Sequence, residues 1–275
     1  MKHSLQQILL ILDIFYVLFN QIIISIIKNE KSKTRTILDI IHQLNSINNI
    51  HNKILTVDIN NVNNWFFVEE TTFTTCKTTN YYGGGIYFCN TANGQCVIFH
   101  TCSFNCSSKR TDSSSTYGQY AYIRTKNNDA GFKNEVNETT ITGSKNESTY
   151  PWCALDLEYS NIICSSVNIT NNECYYYPAL YCYPASTTYL YTCSIIYTSI
   201  VNNSAKGGYG CIWLHNSGSK QFIFTSNIIN NKQDSSNYAT IRTNGHLFIN
   251  ESCIIGNNEN DQKVFFMIPI QNRLN

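Results

Sequence analysis

A recurring strand pattern is the feature of the sequence that most restricts its fold. Seven segments each end in Ser, Thr, Cys or Asn followed by Phe or Ile, and these final apolar residues, here called anchors, lie 26 to 37 residues apart. Six of the seven segments also hold a large apolar residue five positions before the anchor. One such unit cannot bury its apolar face alone, so the repeat predicts units that stack on their neighbours. The anchors are Phe73, Phe104, Ile141, Ile169, Ile195, Ile228 and Ile254.

A second β-forming segment follows each anchor after a gap of variable length. Two of these segments, YAYIRT at 120–125 and YATIRT at 238–243, differ at one position only. Each repeat is therefore predicted to contain a strand, a short turn, a second strand and a variable loop. The second segments are GGGIYF, YAYIRT, CALDL, ALYCY, GCIWLH, YATIRT and VFFMI.

The repeat length favours one stacked architecture. Propeller blades need about 40 to 50 residues, and leucine-rich repeats need a leucine frame that this chain lacks. We therefore predict an all-β fold, a single-stranded parallel β-helix of about seven to eight coils over residues 54–275. Stacking predicts columns of like residues. Cys102 and Cys193 share one place relative to the anchor, and a second place predicts a ladder of hydrogen-bonded amides from Asn172, Asn231 and Asn257.

Two short elements resemble known repeat families. Gly84, Gly85 and Ile86 with the following aromatic residue resemble the GGAI element of polymorphic outer-membrane protein repeats, and residues 224–227 (FTSN) match their FxxN element. The anchors with flanking cysteines are similar to large, Asn-rich, pectin-lyase-like surface proteins of parasitic protists. The resemblance covers about residues 54 to 270. It implies a right-handed parallel β-helix, placement at the cell surface, and adhesion rather than catalysis.

The first 35 residues differ from the rest. Residues 8–27 are apolar except for four positions and are about as long as a membrane-spanning helix. We predict that residues 1–35 form a hydrophobic helix. It serves either as a secretory signal or membrane anchor, or as a cap on the solenoid of an intracellular protein. Residues 36–53 are expected to be a linker or cap. The basic cluster KNEKSKTR after the apolar segment favours keeping that side cytoplasmic.

Composition excludes some classes of function. Charged residues make up 13% of the chain and the net charge is +1, so the chain lacks the basic face that nucleic-acid binding needs. The spacing of the 12 cysteines does not match a zinc site, and no motif indicates a cofactor. The cysteines are expected either to pack in the core or to form a few disulfides in an oxidising compartment.

A carbohydrate-active lyase or hydrolase is the enzymatic alternative for this fold. Its best candidates are Asp156 and Glu158, which lie two apart on one strand and so share a face. Arg124 and Arg242 occupy equivalent places in their strands, but four coils would separate them by about 20 Å. The simpler expectation is that both carboxylates are solvated on the outer face. No catalytic residue is therefore assigned.

The densest aromatic stretch, residues 173–191, is the predicted contact patch. Exposed tyrosines on stacked strands suit carbohydrate or peptide binding, while the alternative is that they stack on and inside the coil. The predicted binding residues are Tyr175, Tyr176, Tyr177, Tyr181, Tyr183, Tyr189 and Tyr191.

Six Asn-x-Ser/Thr sequons are candidates for glycosylation if the chain is secreted. We expect a non-catalytic protein, secreted or at the cell surface, that binds a host or self glycan or protein along its strands. It interacts with no nucleic acid, and residues 8–27 could anchor it in a membrane. A third possibility is a structural fragment of a larger surface protein. The sequons are at Asn105, Asn137, Asn146, Asn168, Asn202 and Asn250.

Overall fold

The computed structural model is an all-β parallel solenoid, which confirms the predicted fold class. Every strand pair is parallel, and the described residues contain no helix. All of them belong to one compact unit, residues 44–275. The structure describes residues 49–51, 55–59, 64–79, 82–90, 94–109, 116–125, 133–145, 150–184, 191–207, 210–215, 219–234, 239–257 and 265–267.

Three long sheets form the walls of the solenoid. Sheet A contains β1 (Asn49–His51), β4 (Thr72–Thr74), β8 (Cys102–Phe104), β12 (Thr140–Thr142), β15 (Asn168–Thr170), β19 (Ser199–Val201), β23 (Asn227–Ile229) and β27 (Cys253–Ile255). Sheet B contains β2 (Leu55–Ile59), β6 (Ile86–Asn90), β10 (Ala121–Arg124), β13 (Cys153–Glu158), β17 (Tyr177–Tyr183), β21 (Ile212–Leu214), β25 (Ile241–Thr243) and β28 (Phe265–Met267). Sheet C contains β3 (Asn64–Glu69), β7 (Gly94–Phe99), β11 (Lys133–Asn137), β14 (Asn161–Ser165), β18 (Thr192–Ile196), β22 (Lys220–Phe224) and β26 (His246–Asn250).

Two small sheets join sheet A to sheet B along part of the solenoid. One consists of two-residue strands in successive turns, and the other of a single strand pair. The first holds β16 (Glu173–Cys174), β20 (Ser204–Ala205) and β24 (Lys232–Gln233), and the second holds β5 (Lys77–Thr78) and β9 (Ser107–Ser108).

Each turn of the chain passes through sheets C, A and B in that order. The first strand of the predicted repeat is thus two strands, one in sheet C and one in sheet A. From β10 to β27 the side chains are described almost throughout, and this part makes about five turns, fewer than the seven to eight expected over 54–275. The hydrophobic helix expected within residues 1–35 lies outside the described residues.

A left-handed residue separates sheet C from sheet A in every turn from β3 to β27. A second left-handed residue ends each strand of sheet A from β4 onward. These bends turn the corners of the coil, and repeating them at the same place keeps successive turns in register. The first column is Glu70, His100, Glu138, Ser166, Tyr197, Thr225 and Glu251, and the second is Thr75, Asn105, Gly143, Asn171, Asn202, Asn230 and Gly256.

The register of sheet A confirms five of the seven predicted anchors and corrects two. Phe73 and Ile141 both pair with Ser103, so Ser103 points inward and Phe104, predicted as an anchor, is 55% exposed. Space beside this small residue is filled by Tyr120, a fully buried residue whose ring lies 5.5 Å from that of Phe73.

The second correction concerns Ile195, which belongs to sheet C, where it pairs with Cys164. The inward residue of sheet A in this turn is Ile200, five positions later. The inward residues of sheets C and A lie five positions apart in each turn, and both are apolar in most turns, so Ile195 fits either column by sequence alone. Cys102 and Cys193 do not share a column either, since Cys102 is exposed in sheet A and Cys193 is buried in sheet C.

The predicted asparagine ladder is confirmed and has one more member, Asn203. The side-chain amide of Asn172 donates to Asn203 Oδ1 at 3.0 Å, and the same bond recurs from Asn203 to Asn231 and from Asn231 to Asn257. Each Oδ1 also accepts a backbone N–H from the turn before. The ladder lies inside the coil, where all its polar groups are satisfied by neighbouring turns.

Candidate functional site

The outer face of sheet B carries two columns of side chains that are rich in aromatic and charged residues. The strand registers align the first column as Tyr87, Tyr122, Asp156, Tyr181, Trp213 and Arg242. The second column contains Cys89, Arg124, Glu158 and Tyr183. Inward-facing Ala, Ile, Leu and Cys residues alternate with them, which is why each strand has one face in the core.

Part of this outer face is covered by aromatic residues that precede the strands. Trp152 comes directly before β13 and Tyr176 directly before β17, and their rings lie 4.5 Å apart. The backbone N–H of Tyr177 donates to Trp152 O at 2.7 Å, which holds the two segments together. Trp152 also packs against Tyr181, and Tyr82 and Tyr117 pack against Tyr122. Tyr122 and Tyr181 are therefore almost completely buried although they point away from the core of the coil.

These rings form one group, here called the aromatic cluster. Trp213 lies at its centre, with its ring 4.4 Å from His215, 4.9 Å from Tyr177 and 5.1 Å from Tyr181. Five members remain partly exposed, while Tyr177 and Tyr181 are buried. The cluster consists of Trp152, Tyr176, Tyr177, Tyr181, Tyr183, Trp213 and His215.

Asp156 and Glu158 share the outer face as predicted, but the expectation that they are solvated is wrong. Asp156 is fully buried, and the side chain of Glu158 is 13% exposed. Cys153 Sγ donates to Asp156 Oδ2 at 3.5 Å, while Asp156 Oδ1 has no hydrogen-bond partner among the described residues. The aromatic side chains of other turns cover the two carboxyl groups, and strand periodicity does not reveal such a cover.

Burial raises the pKa of the Asp156 carboxyl well above its usual range, and the charge of Glu158 raises it further. Burial also raises the pKa of Glu158, although the Arg124 guanidinium and a hydrogen bond from Tyr122 partly lower it. A buried carboxyl group with this shift is held in its neutral form at pH values where an exposed one is ionised.

Arg124 lies beside Glu158, with its Nε 3.5 Å from Glu158 Oε2. Its Nη2 donates to the Tyr159 hydroxyl at 2.7 Å, and its guanidinium lies 4.8 Å from the Tyr159 ring. Tyr159 and Ser160 are two consecutive left-handed residues that end β13. Asn134 stabilises this bend, since its side-chain amide donates to the carbonyl oxygens of Glu158 and Tyr159 at 3.0 Å each.

The prediction that Arg124 and Arg242 are equivalent is wrong. Arg124 pairs with Glu158, in the second column, whereas Arg242 pairs with Trp213, in the first. The two nearly identical strands therefore sit two residues apart in register. Arg242 packs its guanidinium 4.5 Å from the Trp213 ring and donates to the Tyr177 hydroxyl at 2.9 Å.

His215 is a member of the site that sequence analysis did not identify. It stacks between Trp213 and Tyr183, and its Nδ1 lies 3.0 Å from the Tyr181 hydroxyl. Burial lowers the pKa of His215 to about 4, and the positive charge of Arg242 adds to this shift. Trp152 and Trp213 were likewise missed, and Arg242 was considered only as the equivalent of Arg124. Aligning GCIWLH with ALYCY strand by strand would have placed Trp213 beside Tyr181.

Five of the seven predicted contact tyrosines lie in or next to β17, namely Tyr175, Tyr176, Tyr177, Tyr181 and Tyr183. All of these except Tyr175 belong to the aromatic cluster, and Tyr175 stacks edge-on against Tyr176 at 4.9 Å. Tyr191 is buried directly before β18, away from the outer face. Tyr189 lies outside the described residues.

The sequons fall mainly on the surface of the coil. Asn168, Asn202 and Asn250 are exposed, while Asn105 and Asn137 are partly exposed. Asn146 lies outside the described residues, as does the possible membrane anchor at 8–27. Within the part of the chain that the structure describes, no helix has the length and hydrophobicity needed to cross a membrane. Over the same residues, no group of three or more His, Cys, Asp and Glu side chains is arranged to hold a metal ion.

Comparisons with known proteins assign no function to this chain, so its function is inferred from the fold and from this site. No protein-family model matches the chain, and neither a curated protein sequence nor a solved structure is similar to it.

Proposed function

We propose that this protein is a non-catalytic β-solenoid that binds a glycan on the outer face of sheet B. The observation that supports this proposal is the aromatic cluster, in which partly exposed rings of Trp152, Tyr176, Tyr183, Trp213 and His215 lie side by side. Flat aromatic faces bind the apolar faces of sugar rings. Polar groups at the edges of the same rings provide hydrogen bonds to hydroxyl groups.

Unmet hydrogen-bonding capacity at the cluster also supports a polar ligand. The indole N–H groups of Trp152 and Trp213, and Asp156 Oδ1, are buried and have no hydrogen-bond partner among the described residues. Leaving such a group unpaired costs about 1–3 kcal/mol. Hydroxyl groups of a bound sugar, or water that it orders, would offset part of this cost.

The proposal includes placement on the cell surface or secretion, with a host or self glycan or protein as the partner. It also includes right-handed winding and kinship with pectin-lyase-like surface proteins of protists. Parallel crossover connections are right-handed in nearly all proteins. Three exposed sequons fit a secreted chain. A structural fragment of a larger surface protein would use the same face.

Screening the purified chain on an array of glycans tests the proposal, followed by titration calorimetry with any glycan that binds. We expect Trp213→Ala to weaken binding at least ten-fold and Tyr176→Ala to weaken it several-fold, because each removes a ring from the cluster. Tyr197→Ala is the matched control, because Tyr197 is an aromatic residue with 64% exposure outside the cluster. Binding that is equal in all three variants, or absent from every glycan, would contradict the proposal.

The second candidate is a carbohydrate-active lyase or hydrolase, which the buried pair Asp156 and Glu158 favours. A carboxyl group with a raised pKa can donate a proton to a leaving group near neutral pH. Arg124 next to Glu158 could stabilise a carboxylate of an acidic sugar.

Incubation with acidic and neutral polysaccharides distinguishes the two candidates. New reducing ends indicate hydrolysis, and an ultraviolet-absorbing unsaturated product indicates elimination. An enzyme would lose this activity in Glu158→Gln and retain it in Glu138→Gln, since Glu138 is an exposed residue whose carboxylate pairs with His100. A binding protein would yield neither product.

A further inference from the structure

The column that contains the asparagine ladder continues toward the amino terminus with different residues. The ladder place is the third position after the inward residue of sheet A, and it holds Ser144 in the turn before Asn172. Asn172 Oδ1 accepts the backbone N–H of Ser144 at 2.9 Å, so this turn is joined to the ladder as well. In the two turns before that, the same place holds Cys76 and Cys106.

Cys76 and Cys106 face each other in consecutive turns. The residues on either side are paired in register, Thr74 with Phe104 and Lys77 with Ser107. The backbone bonds continue through this segment, because Ser107 N–H donates to Cys76 O at 2.9 Å. Neighbouring parallel strands lie about 4.8 Å apart. This spacing falls within the Cα separations of about 4.4 to 6.8 Å that a disulfide requires.

The side chain of Cys106 has the orientation of a ladder asparagine. Each ladder amide donates to the carbonyl oxygen of the inward residue one turn earlier, as Asn203 Nδ2 does to Ile169 O at 2.9 Å. Cys106 Sγ makes the corresponding contact with Phe73 O, at 3.6 Å. Both thiols are buried, and they lie within hydrogen-bonding reach of each other.

We propose that Cys76 and Cys106 form a disulfide bond that joins two consecutive turns of the solenoid. From Ser144 onward in this column, side-chain amides bond one turn to the next. A thiol is a weak hydrogen-bond donor and cannot replace an amide in this role. A covalent bond at the same place connects the first two turns of the column.

The oxidant is a low-molecular-weight disulfide such as oxidised glutathione, which acts before the thiols are buried. The thiolate of one cysteine attacks a sulfur of the oxidant and releases one glutathione thiolate, forming a mixed disulfide. The second cysteine, as its thiolate, then attacks the protein sulfur of that mixed disulfide and releases the second glutathione. Two protein thiols and one glutathione disulfide thus give one protein disulfide and two glutathione thiols.

Peptide mapping of the full chain, refolded in a glutathione redox buffer and alkylated without reduction, tests this bond. Trypsin cleavage after Lys53, Lys77 and Lys109 places Cys76 in the peptide 54–77 and Cys106 in the peptide 78–109. We expect these two peptides to be cross-linked. Fragmentation of the wild-type cross-link identifies the linked residue, since Cys89, Cys96 and Cys102 lie in the second peptide too.

Two variants provide the matched comparison. Cys106→Ser should abolish the cross-link, and Cys102→Ser should retain it, because Cys102 is an exposed cysteine in the same turn and peptide. The bond should also make stability sensitive to reductant. Reduction is expected to lower the melting temperature of the wild type by roughly 5–10 °C and to lower that of the Cys76→Ala/Cys106→Ala variant less.

Complete alkylation of Cys76, or a bond from Cys76 to a cysteine other than Cys106, would overturn the proposal. The fragmentation result on the wild type decides the point even if the variants fail to fold. Cys164, Cys182 and Cys193 lie close to one another in other turns of the coil. A disulfide between two of them would link other tryptic peptides and so would not affect this test.

Discussion

At the scale of single residues, this solenoid accommodates buried polar side chains in two different ways. In the ladder, Asn203 satisfies every polar group it brings into the core, because neighbouring turns offer a partner for each. Asp156 is different, since it is fully buried, its pKa is raised, and one of its oxygens has no hydrogen-bond partner among the described residues. The first arrangement stabilises the coil, and the second has a cost that depends on pH.

Removal of a ladder amide should destabilise the protein strongly. Asn203→Ala removes the side-chain acceptor of the Asn172 backbone N–H and one of the two acceptors of the Asn172 side-chain amide. We expect the free energy of unfolding to fall by about 2–4 kcal/mol, measured by urea denaturation. Asn227→Ala is the control, because Asn227 is exposed on sheet A, and it should change the value by less than about 0.5 kcal/mol. Equal effects would show that the ladder contributes nothing specific.

Asp156→Asn should alter how stability depends on pH. An unfolded Asp releases its proton near pH 4, whereas the folded chain holds the Asp156 proton to higher pH because burial raises the pKa. Between these two values the folded state binds more protons, so its stability falls as pH rises. We therefore expect the variant to gain stability relative to the wild type from about pH 4 upward, until Asp156 ionises in the folded wild type.

Urea titrations of wild type and variant from pH 4.5 to 8 measure this difference. The buried His215 acts in the opposite direction. Its pKa of about 4 when folded lies below the ordinary value of 6.5, so its contribution to stability rises with pH in that range. It contributes equally to both proteins and cancels in the difference. Asp234→Asn, at an exposed aspartate, is the control. A difference that does not vary with pH would show that Asp156 is ionised in both states.

At the scale of elements, short strands are joined by left-handed corners rather than by long turns. Strands of three residues in sheet A lie between two left-handed residues in every turn from β4 onward. Asn and Gly hold six of the seven positions of the second corner, which fits their tolerance for this backbone conformation. The first corner is made by Glu, His, Ser, Tyr and Thr, which pay a conformational cost there.

Substitution at Tyr197 should reveal this cost. Tyr197 has φ 52° and is exposed, so a change there affects the backbone more than packing. We expect Tyr197→Ile to lower the free energy of unfolding by about 1 kcal/mol, and Tyr197→Gly to leave it unchanged or raise it by up to about 1 kcal/mol. Thermal denaturation with circular dichroism measures both. Asn227 lies in an extended strand, so there the Ile variant should be more stable than the Gly variant. If the Ile and Gly variants ranked in the same order of stability at both positions, position 197 would not require a left-handed backbone conformation.

At the scale of the whole molecule, each turn contacts mainly the turn before and the turn after. Every strand of the three long sheets pairs only with its neighbours in the stack. Such a molecule distributes stability along its axis, and local damage spreads through adjacent turns more than through distant ones.

Hydrogen exchange should show this locality in Ile200→Ala. The substitution creates a cavity in β19, which lies between β15 and β23. We expect amide protection to fall about ten-fold or more in these three strands and to change little in β4 and β8, as measured by mass spectrometry. Asn227→Ala should leave all five strands unchanged. A uniform loss of protection would indicate that the solenoid unfolds as one cooperative unit instead.

Sequence alone determined the fold class, the strands of sheet B and the existence of the asparagine ladder. Alternating polar and apolar residues assign each side chain to one face, and the repeat requires stacking. The register was decided by the tertiary structure. Tyr120 fills the core beside Ser103, so Phe104 points outward although it fits the anchor pattern. YATIRT is shifted by two residues relative to YAYIRT, a shift that keeps the same faces and so leaves no trace in the pattern.

The candidate site likewise has features that the sequence predicted and features that only the tertiary structure determined. The sequence placed Asp156 and Glu158 on one face and located four members of the aromatic cluster near β17. Only the tertiary structure buried those carboxyl groups and brought Trp152, Trp213 and His215 together with the tyrosines of the cluster. These residues come from different turns joined by loops of variable length, so their separation in the sequence carries no information about their distance. Side-chain direction is a local property that a sequence encodes directly, whereas the cover over an outer face depends on which turns lie beside it.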